Sequence, residues 1–356
     1  MTPYLSAKFR LLSFVSIVAV VYVHAYNLTD RYLLPWTLST DPLTATAFIQ
    51  MFVSNGLTRF AVPIFFAISG FLFFRKFEPD LLWFADQFGK RLRSLAIPYF
   101  LWSTIGLALV WFLQRNEMTR PAVDTWDLFP PDVRFDLLFF RWVINPVPFQ
   151  LWFVRDLLLY AVLSPLLYLG LRYLGAWLLL PVGLLWFVHA NFVILEGEGL
   201  LFFLLGSYFA IHRKPMPVGS PRWLPPVTLV LWLGVLTAKT LLVYSSTAPL
   251  PLILLHKTAI LFGVATVWFG YDLFGEAFGE TSFAQSAAPF STFIYFAHEP
   301  LLNHLSNFAL RQWNTDPLTV YVTYPLLTTL LCMAIGATIR SFLPPVYSWL
   351  TGGRGF

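Results

Sequence analysis

Charge and sulfur are what this sequence has least of. Across 356 residues, Asp, Glu, Lys and Arg supply 12%, about half their share of an ordinary soluble domain. Cysteine occurs once, at Cys332 within an apolar run. The low charge excludes a disordered chain and a soluble enzyme, and the lone cysteine excludes a disulfide framework or a Cys-x-x-Cys metal site. No metal site is expected. H-E-x-x-H, the G-x-x-x-x-G-K-[ST] loop and G-x-S-x-G are all missing, which removes motif support for metalloprotease, P-loop NTPase and α/β-hydrolase chemistry. No Gly/Ser linker, repeat or composition break divides the chain, so residues 1–356 are expected to form a single transmembrane domain.

What the chain holds instead is apolar and aromatic: 58% hydrophobic residues, with 37 Phe, 14 Trp and 15 Tyr, and a mean hydropathy of +0.68. A soluble globule has too little interior for that much apolar surface, whereas a bilayer accepts it. Runs of about 17–25 mostly apolar residues predict an all-α, polytopic transmembrane helix bundle of about ten spans. They fall at 8–27, 59–75, 94–113, 151–170, 175–193, 198–213, 224–244, 252–272, 289–309 and 319–342. Two apolar pieces, 44–55 and 133–145, are too short or too charged to span, and the second suits an interfacial or re-entrant helix.

The net charge of +5 is basic, but the basic residues fall between apolar spans and read as topology signals, with no nucleic-acid partner. An even number of spans puts both termini on one side. Placing them in the cytoplasm collects Lys8, Arg10, Arg75, Lys76, Lys90, Arg91, Arg93, Arg172, Arg213, Lys214, Arg222, Arg340 and Arg354 inside. Asp272, Glu276 and Glu280 fall on that side too, where acidic residues carry little weight. Lys8 and Arg10 followed by an apolar stretch have the outline of a signal peptide, but no small-residue cleavage pattern follows, so a retained first span is expected.

An ionisable group in the bilayer costs roughly 2.5–3.5 kcal/mol at a helix centre on insertion scales, so each needs a reason. His24 lies in the outer part of the first span, with Asn27 one turn on and sharing its face. Arg155 and Asp156, after Trp152, open the fourth span; adjacent residues do not share a helical face, so each is expected to meet a different partner. His298 and Glu299 precede Pro300 near the middle of the ninth span, where proline frees the carbonyl of Phe296. Glu196, Glu198, His256 and Lys257 read as solvated span ends, and His189 and His304 as ordinary bundle residues; the topology nevertheless brings His24, Arg155, Glu196, Lys257 and His298 to a shared depth in the outer half of one bundle, as a polar cavity would require. Lys90-Arg-Leu-Arg93 serves as a positive-inside signal, and guanidinium groups at Arg91 and Arg93 also suit the phosphates of a cytoplasmic acyl-CoA. Ser69-Gly70 offers small residues for close helix approach or for the passage of a ligand.

Six segments in order make a familiar string: the first span ending in His24; Val62-Pro-Ile-Phe-Phe-Ala-Ile-Ser-Gly-Phe71; Lys90-Arg-Leu-Arg-Ser-Leu-Ala-Ile-Pro-Tyr99 with Trp102; Leu151-Trp-Phe-Val-Arg-Asp156 with Ser164-Pro165; Phe202-Phe-Leu-Leu-Gly206; and Tyr295-Phe-Ala-His-Glu-Pro300. Together they resemble the acyltransferase 3 family of membrane O- and N-acyltransferases, many of which decorate surface polysaccharides. The resemblance implies His24 as the leading catalytic residue and His298 as the histidine of the ninth-span motif. It implies acyl-CoA, usually acetyl-CoA, as co-substrate with no bound cofactor, and a sugar hydroxyl as a frequent acceptor. It also implies residence in a bacterial cytoplasmic (inner) membrane. Two family arginines are replaced: Ser13 stands eleven positions before His24, with Arg10 one turn earlier, and Ser94 is the last residue of the Arg-x-x-Arg pattern that begins at Arg91.

The expected reaction is acyl transfer to a hydroxyl of a cell-surface glycan or its lipid-linked precursor, with His24 as general base. Arg155, His298 and Glu299 are expected to assist catalysis. Arg91, Arg93 and Ser69 are assigned to acyl-CoA, and Asn27, Asp156 and Trp152 to the acceptor. The rival class is a transporter or flippase for a glycan or organic anion, because polar midplane residues on a kinked helix also suit alternating access. A structural subunit of a polysaccharide machine is a third.

Overall fold

The computed structural model describes residues 1–27, 35–39, 42–78, 80–115, 117, 134–189, 197–245, 248–279 and 281–355. All regular structure among them is helical: α1 (Pro3–His24), α2 (Ala45–Ser54), α3 (Ala61–Phe74), α4 (Leu81–Arg91), α5 (Ile97–Arg115), α6 (Phe135–Val143), α7 (Trp152–Leu174), α8 (Leu179–Phe187), α9 (Gly197–Ile211), α10 (Leu224–Ser245), α11 (Pro249–Gly270), α12 (Glu276–Gly279), α13 (Ser282–Ala287), α14 (Ser291–Gln312), α15 (Pro317–Phe342) and α16 (Pro344–Thr351). Local chemistry starts several of them. The Thr2 and Asp316 side chains accept from the backbone N–H groups of Leu5 and Thr319, each followed by proline at the first helical position, where a missing N–H costs nothing.

Seven helical segments among the described residues are long and apolar enough to cross a membrane, so the protein is an integral membrane protein. The spans differ in outline from the sequence expectation of about ten. Residues 45–74 form one apolar segment and 82–115 another. α7 and α8 run on through 149–187, turning at Gly175, whose φ of +57° is open to glycine. α8 has nine residues and α9 fifteen, short for a bilayer of about 30 Å at 1.5 Å per residue. α14 is long enough, but His298, Glu299, Asn303 and His304 lower its hydropathy.

The centre of the bundle is α1, packed against α3 on one side and α14 on the other, with α9 behind α3. α3 and α9 touch through their backbones: a Cβ added at Gly70 would lie 2.1 Å from the Phe203 carbonyl oxygen, and one at Gly206 only 1.8 Å from that of Ala67. The close approach expected of Ser69-Gly70 is therefore present, and Gly206 is its counterpart. Large apolar side chains such as Leu166, Leu184 and Val230 stay exposed on the outside, as a lipid-facing surface requires.

Two charged groups at one end of α1 satisfy each other. Lys8 Nζ lies 2.7 Å from Asp272 Oδ1, with both side chains buried, and the Gly219 N–H donates to Asp272 Oδ2 at 2.9 Å. Lys8 also sits over the Trp268 ring, 4.6 Å from its centroid. Lys8 and Asp272, placed on the same side of the membrane as topology charges in the sequence, are thus paired with each other. In the 133–145 piece, α6 has no fully buried residue and exposes Phe135, Phe139 and Phe140. It is held flat on α5, where the Ser103 and Tyr99 hydroxyls donate to the carbonyls of Trp142 and Val143 at 2.7 Å.

Candidate active site

The site grows from a break in α14. Glu299 leaves the helical region (φ −112°, ψ 133°) just before Pro300, which cannot donate and crowds the preceding turn. The carbonyls released there need new donors in an apolar interior. Gln150 supplies them: its Nε2 donates to the Phe296 oxygen at 3.2 Å and the Glu299 oxygen at 3.1 Å. Tyr295 returns the bond by donating its hydroxyl to the Gln150 carbonyl. The Phe296 carbonyl, picked out in the sequence by its spacing from Pro300, is thus freed and re-satisfied across the bundle.

His298 sits on the last intact turn before the break. Its Nδ1 lies 3.0 Å from the Ile294 carbonyl oxygen, which can only accept, so Nδ1 carries the hydrogen and Nε2 of the neutral ring holds a lone pair. Nε2 is buried with no hydrogen-bond partner among the described residues. The ring stacks on His24, with centroids 5.3 Å apart and planes 27° from parallel, and Phe149 meets the His24 ring edge-on at 4.6 Å. His24 occupies the last turn of α1, where the negative end of the helix dipole favours positive charge developing on the imidazole. Glu299 points elsewhere, accepting from Asn303 Nδ2 at 2.5 Å through Oε2.

Two cavities meet near this pair. The first, of about 270 Å³, is lined by His24, Trp152, Arg59, Glu198, His256 and Lys257 among others. The second, of about 300 Å³, is lined by Ser13, Ser69, Arg91 and Arg354 together with aromatic and aliphatic side chains. Phe65, Phe153 and Tyr295 border both. An aromatic waist therefore separates a histidine chamber from an arginine chamber. Along α1 the two are about 16 Å apart, the rise from Ser13 to His24 at 1.5 Å per residue.

The arginine chamber holds like charges. Arg91 leans on the Phe73 ring at 5.3 Å, and its buried Nε has no hydrogen-bond partner among the described residues. Arg354 arrives from the segment after α16. Burial, and then the positive charge of Arg91, lower its guanidinium to about 10, so it stays charged at neutral pH. Gly352 and Gly355 place it there with φ of +65° and +89°. A Cβ on Gly352 would fall 2.0 Å from the Ser94 carbonyl oxygen, and one on Gly355 2.3 Å from that of Pro289.

The sequence-predicted residues divide cleanly. His24, His298 and Trp152 are brought to the histidine chamber or directly behind it, and Ser69 and Arg91 to the arginine chamber. Arg155 and Asp156 line neither. Contrary to the expectation of separate partners, Arg155 folds back on its neighbour, with Nη2 2.9 Å from Asp156 Oδ1, while Nη1 donates to the Ile144 carbonyl at 2.9 Å. The guanidinium stem is long enough to curl round the helix, so backbone spacing alone does not separate the two groups. Asn27 lies past the end of α1 and shares no helical face with His24; it exchanges hydrogen bonds with Gln50 at 2.9 and 2.6 Å. Arg93 is exposed and lines a shallow outer groove, away from Arg91, and Arg10 is exposed too.

Other polar groups differ from the solvated span ends expected of them, although Lys257 does share one cavity with His24, as the common depth of the two suggests. His256 and Lys257, expected as solvated ends, are both buried. Glu198 lies 3.8 Å from Lys257 and accepts from the Trp186 indole at 3.2 Å; Glu196 falls outside the described residues. At His189, burial and then the charge of Lys257 push the imidazole below its ordinary value. Arg59, Lys239 and Arg354 were not singled out as site residues. Only the cost of a cation within an apolar run could have flagged Arg59 and Lys239, and nothing local flags Arg354.

A family model described as an acyltransferase domain, that of the acyltransferase 3 family, matches residues 8–337. The chain is also similar to the succinoglycan biosynthesis protein ExoH of Rhizobium meliloti (strain 1021), at 26% identity over 360 aligned positions covering 98% of this chain and 92% of the relative. No solved structure matches. With a match spanning His24, Arg91 and the His298-Glu299-Pro300 break, the chain belongs to the acyltransferase 3 family of membrane proteins.

Proposed function

We propose that this protein moves an acyl group, in the simplest case acetyl, from cytoplasmic acyl-CoA to a hydroxyl of a cell-surface glycan or its lipid-linked precursor. The observation that carries the reading is the His24–His298 stack at one cavity that shares Phe65, Phe153 and Tyr295 with a second, arginine-lined one. Family membership supports acyl transfer. The similarity to a protein of succinoglycan biosynthesis supports a polysaccharide acceptor and a bacterial inner membrane.

In this reading the phosphates of acyl-CoA meet Arg91 and Arg354, whose mutual repulsion a polyanion relieves. The thioester arm passes Ser69 and the waist of Phe65, Phe153 and Tyr295 to reach His24. Arg354 then supplies a positive charge in a chamber where Ser13 is a wall residue, from a segment whose Gly352 packs on the backbone of Ser94; both serines stand where the family often has arginine.

At His24 a sugar hydroxyl is a poor nucleophile until it gives up its proton. Neutral imidazole takes that proton as the oxygen attacks the thioester carbonyl carbon. The tetrahedral adduct collapses with cleavage of the C–S bond, and the sulfur leaves with the proton returned by the imidazolium. His298 is a positioning residue: its tautomer is fixed by Ile294, and its neutral ring supports the charge formed on His24. The membrane then separates a cytoplasmic donor from an acceptor that enters at the opposite face, with the termini in the cytoplasm.

The test is purified protein in nanodiscs with radiolabelled acetyl-CoA and a glycan acceptor. Label on the glycan is expected. Movement of glycan across the bilayer without label transfer contradicts the proposal and returns the transporter reading.

A further inference from the structure

Behind the histidine chamber lies a group of cations that acyl transfer at His24 does not use. Arg59 lines the cavity with Lys257 and His256. Its Nε donates to the Ser54 carbonyl at 2.9 Å and its Nη2 to Asn55 Oδ1 at 2.6 Å, both neutral oxygens. One layer deeper, the buried Lys239 donates to the Asn55 carbonyl and lies 3.2 Å from His256 Nδ1. In the tautomer in which Nδ1 accepts from Lys239, the neutral His256 ring presents a donor at Nε2. Trp36 and Trp186 stack on the Lys257 ammonium, 5.2 and 4.7 Å from their centroids.

Three cations thus share this region, and among the described residues Glu198 is the acid placed with them. Each cation costs free energy to hold in a membrane interior, and carbonyls and indole faces repay only part of it. Structural packing would be served better by apolar side chains of equal size. An oxyanion entering the chamber would meet guanidinium, ammonium and imidazole groups together with indole rings in its lining, a combination suited to a charged sugar.

We propose that the histidine chamber contains an oxyanion subsite, formed by Arg59, His256 and Lys257 with Lys239 behind them, that binds a carboxylate group carried by one of the two reactants. The group belongs either to an acidic sugar unit of the acceptor or to the far end of a dicarboxylic acyl chain on the donor. The acyl-transfer reading enters only in naming the two reactants; the subsite itself is a binding site.

Equilibrium binding therefore tests it without turnover, in His24→Ala protein reconstituted in nanodiscs. Calorimetry compares glucuronate-bearing with neutral oligosaccharide, and malonyl-CoA or succinyl-CoA with acetyl-CoA. In one pair the charged ligand is expected to bind more tightly, by about 10- to 100-fold, the worth of hydrogen bonds between charged groups. Arg59→Gln should erase most of that preference and Arg59→Lys should restore part of it, which separates charge from folding. Preference in the sugar pair assigns the group to the acceptor, and preference in the acyl pair to the donor. No preference in either pair overturns the subsite, as does a preference that survives Arg59→Gln in protein that still elutes as a folded species. Failure of label transfer by protein with His24 intact, with the preference present, would overturn only the acyl-transfer reading.

Discussion

Replacing Arg354 with glutamine removes one of two cations from the arginine chamber while keeping an amide of similar length. A hydrogen bond between charged groups contributes about 1.5–3 kcal/mol, and at about 1.4 kcal/mol per factor of ten this makes acyl-CoA binding roughly 10- to 150-fold weaker. Because Arg354 is only half-buried, the lower part of that range is expected. Arg91→Gln should cost at least as much, since its buried Nε has no partner among the described residues. The double variant should lose less than the sum of the two, because both groups address the same phosphates. Gly355→Ala keeps the charge but forces the segment away from the Pro289 carbonyl, and it should weaken binding as well. The sign of the pH effect follows from the direction of the shift. Burial and Arg91 lower Arg354 to about 10, so it is charged and binding is strong below that value. Affinity should fall as pH rises through about 10, a range in which an ordinary arginine stays protonated. Titration calorimetry of acetyl-CoA into purified protein at fixed ionic strength measures all of this. Wild-type affinity in Arg354→Gln would refute the placement of the CoA phosphates.

Lys8→Met strands the buried Asp272 carboxylate and should cost about 3–5 kcal/mol, read as a lower Tm in detergent; Lys8→Met/Asp272→Asn should recover much of it, and an unchanged Tm in the single variant would show the pair to be incidental. Gly206→Ala places a methyl 1.8 Å from the Ala67 carbonyl oxygen, so α3 and α9 must part at a cost of about 1–3 kcal/mol or more; a wild-type Tm contradicts the backbone contact. Arg155→Gln should lower stability by about 1.5–3 kcal/mol through lost bonds to Ile144 and Asp156, with little change in the KM for acyl-CoA. If kcat collapses while Tm holds, Arg155 acts in the reaction and its bracing role is wrong.

Much of this was legible along the chain because it depends on local rules. The helix break at Pro300 and the freed Phe296 carbonyl follow from the missing N–H of proline, and the close approach at Gly70 follows from the absence of a side chain. What failed to show were pairings set by the bundle. Lys8 and Asp272 are far apart in sequence, and each alone reads as a topology charge. His256 and Lys257 sit near a span end, where sequence does not distinguish a solvated cation from one turned inward. Arg155 and Asp156 were separated by helical spacing and reunited by a flexible stem. Arg354 lies in a glycine-rich stretch with no pattern of its own; only the fold brings it beside Arg91.

The central claim is that His24 takes the proton of the acceptor hydroxyl. Loss of one positioned general base is expected to slow transfer by about 100- to 10,000-fold. The measurement is the rate of label transfer from radiolabelled acetyl-CoA to glycan by His24→Ala protein, alongside its acetyl-CoA affinity. The account predicts transfer reduced to that level with donor affinity and Tm close to wild type. A folded His24→Ala protein that transfers label at the wild-type rate would contradict it.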